Sequence, residues 1–268
     1  MDRFPVCHPI TSKWEGGWSD HPADPGGKTM YGITEVRWHE YQRKMGMKLS
    51  PVRNVTKAQA LTFYRSEFWE ACGAPNLFPG VDLAVYDASV NSGVSRGKKW
   101  LWAAMGSNDH SETVRKICRA RLSFMQSLKI WKTFGKGWGR RVADIEVRGV
   151  AMAMAAMGAT PTVIRTEAAA HAVDATHAKN NAAGTEKITA AGAAGSGSGS
   201  AVAASSPTTV SDFDYYTAIA VMGGVAAILV LVLIVINVRK RAAAERALAY
   251  DALASSGPQL VVQKGAEE

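Results

Sequence analysis

Apolar residues recur at three- and four-residue spacing through most of the N-terminal half of the chain, and that period predicts a string of helices. The stretch TKAQALTFYRSEFWEACG, starting at Thr56, opens on a Thr-x-x-Gln capping box and closes on Gly73, with Pro75 just beyond. VDLAVYDASVNSG, GKKWLWAAMG and SETVRKICRARLSFMQSLKIW each carry an apolar stripe and a glycine or polar stop. KGWGRRVADIEVRGVAMAMAAMG predicts a last long helix. One stretch breaks the period: WEGGWSDHPADPGGKTMYGIT, from Trp14 to Thr34. Its Pro25-Gly26-Gly27 and Gly32 forbid a continuous helix and predict a tight turn or a short hairpin. The pattern describes a mainly α domain with one irregular loop, rich in carboxylates, near its N-terminus.

Beyond Gly149 the pattern gives way to Ala, Gly, Ser and Thr, and AGAAGSGSGSAVAASSPTT predicts a flexible tether. From Tyr215 to Val238 no charged residue occurs. At ~1.5 Å per residue, such a helix spans the ~30 Å apolar core of a bilayer. Tyr215 and Tyr216 flank it on one side and Arg239-Lys240-Arg241 on the other, as at membrane interfaces. The predicted organisation is a folded domain over 1–158, a flexible linker over 159–213, one transmembrane helix over 214–238 and a short basic tail over 239–268.

Composition supports that division. All eight tryptophans lie between Trp14 and Trp138, so the aromatic burial that builds a core belongs to the N-terminal part. Met1–Val150 holds 23 basic and 14 acidic residues, a net of +9, and the remainder holds 8 and 9, a net of −1. A basic domain is drawn to polyanions, a bacterial envelope among them. No Lys/Arg run resembles a nucleic-acid arm, and the aromatics sit on helix faces instead of forming a stacking platform, so nucleic acid is not expected as a partner. The three cysteines have no C-x-x-C spacing and cannot complete a disulfide framework; Cys72 and Cys118, in apolar helical contexts, read as buried thiols. The histidines form no ligand pair, and neither metal nor cofactor is assigned.

The irregular loop holds the candidate chemistry. Cleaving a glycosidic bond needs a protonated carboxylic acid beside the leaving oxygen, and usually a second carboxylate to hold a water or stabilise the cationic sugar. Glu15, at a helix end, faces a loop that carries Asp24. If Trp14 or Trp18 shields Glu15 from water, its proton is retained near neutral pH, while Asp24, held in a turn, stays ionised. Asp20 is the alternative second carboxylate.

These residues carry a resemblance. The Glu-Gly-Gly-Trp motif and DPGGKTMYGIT resemble the signature of the phage-type N-acetylmuramidases of glycoside hydrolase family 108. The likeness continues through FYRSEFWEACG, LAVYDASVNSGVSRGKKWLWAAMG and RLSFMQSLKIWKTFGKGWGRRV, in family order, over most of Trp14 to Val142. It implies a lysozyme-like helical fold and hydrolysis of the bond between N-acetylmuramic acid and N-acetylglucosamine, with Glu15 as the catalytic acid. Asp24 and Thr29 correspond to the groups that hold a water in phage lysozymes. Tyr31 and Asn91 are the further candidates for substrate contact, and Met30 stands where relatives often carry asparagine.

The expected partners are peptidoglycan strands and, through the apolar helix, the inner membrane of a bacterium, with the domain acting as a monomer. The acidic flank before that helix and the basic flank after it place the domain in the periplasm. No apolar run before Trp14 reads as a signal peptide, so passage across the membrane calls for a holin-like lesion or a dedicated route. The competing readings are a lytic transglycosylase, which uses one acid and no water, and a non-catalytic module tethering membrane to wall.

Overall fold

The computed structural model describes residues 1–20, 27–195 and 212–256, and for 187–195 and 212–231 it describes the backbone alone. Two compact units divide the chain, one built on Met1–Glu167 and the other on Ala168–Ala252.

The first unit is a helical body around one buried helix. Helix α1 (Phe4–Ser12) buries Phe4, Cys7, His8 and Thr11 along one face. A two-stranded antiparallel hairpin follows, β1 (Thr29–Met30) and β2 (Ile33–Thr34), with Met30 opposite Ile33. Its two-residue turn is Tyr31-Gly32, with φ of +52° and +77°. Positive φ at both turn positions is what lets a two-residue loop match the twist of its strands. Thr34 then caps α2 (Glu35–Lys44) by accepting from Arg37 N. The remaining elements are α3 (Lys57–Tyr64), α4 (Val81–Ser92), α5 (Val94–Ala104), α6 (His110–Gln126) and α7 (Trp131–Ala156).

The periodicity located α3 to α7, and their ends follow from local chemistry. Thr56 and Gln59 form the reciprocal capping box at the start of α3. That helix widens into a π-helical turn over Arg65–Glu70 and stops before Gly73, whose φ is +84°. Helix α4 is buried along Val81–Ser89 and packs against α1, α5, α6 and α7, as an all-round apolar helix must. Its start meets α7 backbone to backbone: a Cβ on Gly80 would lie 2.0 Å from the Gly149 carbonyl oxygen. Helix α7 begins at Trp131, ahead of the predicted KGWG start, and the Trp131 ring covers Gly135. Cys7, Cys72 and Cys118 are buried, and burial pushes the Cys7 and Cys72 thiols up.

In the second unit the chain departs from the expected linker. Helix α8 (Pro161–Gly195) runs through much of the segment predicted to be a tether. Its alanines explain the difference, since alanine is the strongest helix former and the low-complexity composition hides that propensity. The Gly/Ser-rich positions 196–211 lie outside the described residues. Helix α9 (Asp212–Ser256) contains the apolar run. Positions 214–231 of the expected span lie outside the described side chains, and among the described residues no helix is long and apolar enough to cross a membrane. Within this unit α8 and α9 run antiparallel: His171 meets Tyr250 at 5.1 Å between ring centres, and Lys240 bonds Glu186 at 2.8 Å. That ion pair brings residues on either side of the expected span together.

Candidate active site

Glu15 follows the last turn of α1, where its amide donates to the Ser12 carbonyl at 3.0 Å. Its side chain is largely buried, and Oε1 accepts from Arg141 Nη1 on α7 at 2.8 Å. The other oxygen faces the hairpin: a Cβ on Gly32 would sit 2.7 Å from Glu15 Oε2 and 2.6 Å from Tyr64 Oη. Only glycine fits there, for space and for its positive φ. Tyr64 donates to the Tyr31 carbonyl at 2.8 Å, tying the hairpin turn to α3. Burial first, then the charge of Glu15, pushes the Tyr64 phenol up, so it stays a donor.

Behind Glu15 lies a buried charge network. Asp87, on α4, is fully buried and accepts from Arg121 Nη1 at 2.6 Å and from Arg141 Nη2 at 2.9 Å. Burial opposes its ionisation, but the two guanidiniums outweigh that and hold the carboxyl below the usual range. Arg121 also donates to Asn91 Oδ1 at 3.1 Å. A chain of contacts thus runs from Asn91 through Arg121, Asp87 and Arg141 to Glu15. Arg141 is the hinge, with Nη2 and Nε on Asp87 and Nη1 on Glu15.

Beside the hairpin a cavity of about 790 Å³ opens between Gly32–Thr34 on one side and Val90–Arg96 on the other. Gly32 is shared by the cavity wall and the Glu15 contact, so Glu15 lies directly behind that part of the wall.

The expected residues meet different fates. Glu15 holds the central place, but its observed partner is a guanidinium. Of the two tryptophans considered as its shield, Trp14 is half-buried, and Trp18 is 38% exposed and lies against Arg53. Asp24 lies outside the described residues. Asp20 is exposed. The Thr29 hydroxyl donates to the Gly27 carbonyl at 3.0 Å, and its backbone pairs with Ser19, so it shapes the loop. Tyr31 forms the turn and packs against the core. Asn91 lies in the charge network next to groove residue Ser92. Sequence reasoning did not select Tyr64, Asp87, Arg121 or Arg141. The available signal was the pair of aspartates, Asp82 and Asp87, within the apolar first turns of α4, since a carboxylate so placed demands a cationic partner.

Residues 9–93 match the family model described as Glycosyl hydrolase 108, and that segment contains Glu15, the hairpin, Tyr64, Asp87 and Asn91. The chain belongs to this family of glycoside hydrolases. The match stops before α6 and α7, so Glu15 lies inside it while the guanidiniums that grip Glu15 and Asp87 lie beyond it. The solved structure of Brucella abortus SagA is 32% identical to this chain, covering 56% of it and 95% of the SagA chain, with a TM-score of 0.49. No curated protein sequence matches the chain.

Proposed function

We propose that this glycoside hydrolase acts on peptidoglycan, cleaving the β-1,4 bond between N-acetylmuramic acid and N-acetylglucosamine with Glu15 as general acid. The observation that carries the reading is the close approach of Glu15 to Gly32, a wall residue of the groove, in the segment that matches the family. With Oε1 engaged by Arg141, Oε2 is the atom turned toward Gly32 and the groove, and the proton for the leaving oxygen is delivered from there. Asp24 is the proposed second carboxylate, with Thr29 shaping its loop, and Tyr31 and Asn91 edge the sugar site.

Glu15→Gln is nearly isosteric and removes the transferable proton. General-acid catalysis contributes roughly 10²–10⁴-fold, so sugar release from purified sacculi should fall by that factor while circular dichroism stays unchanged. Equal release by the two proteins overturns the assignment. Sugars ending in a reducing muramic acid support hydrolysis, and the anhydro form identifies a transglycosylase instead.

Membrane attachment through 214–238, with the domain in the periplasm, is proposed from the uncharged run in the sequence. It requires α9 to separate from α8, because a bilayer cannot lie between Glu186 and Lys240 while they are bonded at 2.8 Å. The anchored form should stay in the membrane fraction through an alkaline wash. Complete release by that wash rules the anchor out.

A further inference from the structure

The groove beside Glu15 carries two cationic groups that the proposed reaction does not use. Arg37, on the first turns of α2, and Arg96, at the start of α5, both line it and both are exposed. Each is laid on an aromatic ring. The Arg37 guanidinium carbon is 5.8 Å from the centre of the Phe68 ring, and that of Arg96 is 4.6 Å from the centre of the Phe124 ring. Arg96 Nη1 also donates to the Ser92 carbonyl at 3.1 Å. Stacking and that bond restrict two otherwise flexible side chains without neutralising them. Among the described residues, neither guanidinium pairs with a carboxylate, and the groove lining contains none.

A neutral polysaccharide gives no reason for such a pair. A glycan strand whose sugars carry peptide carboxylates does, because fixed guanidiniums bind planar carboxylates through paired N–H donors. We infer that Arg37 and Arg96, on the two walls of the groove beside Gly32, select carboxylate-bearing glycan over neutral glycan. The inference rests on the peptidoglycan reading above and deepens it. Charges at an exposed rim contribute little individually, so their effect falls mainly on KM and weakens with salt.

The test uses the full chain on two substrates: purified sacculi, and the same sacculi with their carboxyl groups amidated through a carbodiimide. The wild type should show a KM roughly three- to tenfold lower on the native sacculi at low salt, with the ratio shrinking toward one as salt rises. In Arg37→Gln/Arg96→Gln the ratio should approach one at every salt concentration, with the circular dichroism spectrum unchanged. Arg37→Lys/Arg96→Lys, which keeps the charge, should recover much of the preference, and a purely structural role would not produce that pattern. A wild type active on both substrates whose ratio persists in the glutamine variant overturns the selective role alone. A wild type that releases sugar from neither substrate overturns the peptidoglycan reading, and this inference with it.

Discussion

The network behind Glu15 makes a quantitative demand on Asp87. Asp87→Asn preserves the shape of the side chain but removes its charge and one acceptor oxygen. The wild-type carboxylate serves Arg121, which is fully buried, and Arg141, whose side chain is 7% exposed. After the exchange, a single amide oxygen remains at position 87 for both guanidiniums; Arg141 still has the Glu15 carboxylate, while Arg121 is left with neutral side-chain acceptors. Breaking a buried ion pair by removing one partner costs about 3–5 kcal/mol, because the other charge stays desolvated. For a unit of this size each kcal/mol lowers Tm by roughly 2–4 °C, so a fall of about 6–20 °C is expected. All eight tryptophans lie between Trp14 and Trp138, so their fluorescence reports on the first unit alone. Sugar release should fall as well, because Arg141 then grips Glu15 from a loosened base.

Acid supplies an internal control. The folded-state pKa of Asp87 lies below its unfolded value, so the stabilisation is fully present above about pH 4 and is lost as pH falls through the folded value. Wild-type and Asp87→Asn stabilities should therefore converge in acid. A Tm change under about 2 °C at neutral pH, or parallel curves down through the acid range, would refute the account.

Gly32→Ala places a methyl within 2.7 Å of Glu15 Oε2 and 2.6 Å of Tyr64 Oη at a φ of +77°, so both stability and kcat should drop; wild-type kinetics would disprove the close approach. His8 is buried against Tyr86 and its pKa is lowered to about 4 by desolvation. Its neutral form is favoured in the folded state, so wild-type stability should fall as pH drops from about 6.5 to about 4, by about 3 kcal/mol in total. His8→Gln should lack that component of the pH dependence, as chemical denaturation at a series of pH values would show.

The sequence revealed the scaffold of the site more readily than its geometry. Helices α3 to α7 were legible because their apolar stripes and stops are local, as with the Thr56–Gln59 box and Gly73. Helix α1 was harder to read, with Pro5 and Pro9 inside nine residues, although Phe4, Cys7, His8 and Thr11 hold helical spacing. Glu15 was singled out as a candidate by its motif. Its partner was not, because Arg141 lies 126 residues away and nothing local distinguishes it from the neighbouring Arg140. Tyr64 and Gly32 meet Glu15 only once the hairpin has folded onto α3. Long-range pairs of this kind come from tertiary packing, on which a periodic pattern is silent.

The division of labour within the site explains why such a costly network is present. Glu15 stands at a helix end beside a glycine-rich loop, where the backbone alone cannot fix a carboxylate. Arg141 fixes it from the middle of α7, and Asp87 fixes Arg141 from the most buried helix of the unit. Arg121 adds a third helix, so the orientation of the Glu15 carboxylate is set by α4, α6 and α7 together. The network's charges balance one another: Asp87 without its guanidiniums is a bare buried charge, and so is Arg121 without Asp87. The segment matching the family ends at residue 93 and contains Glu15 and Asp87 but neither arginine. A chain stopping there would keep Glu15 and lose the groups that hold it. The proposed catalytic unit therefore extends through α7.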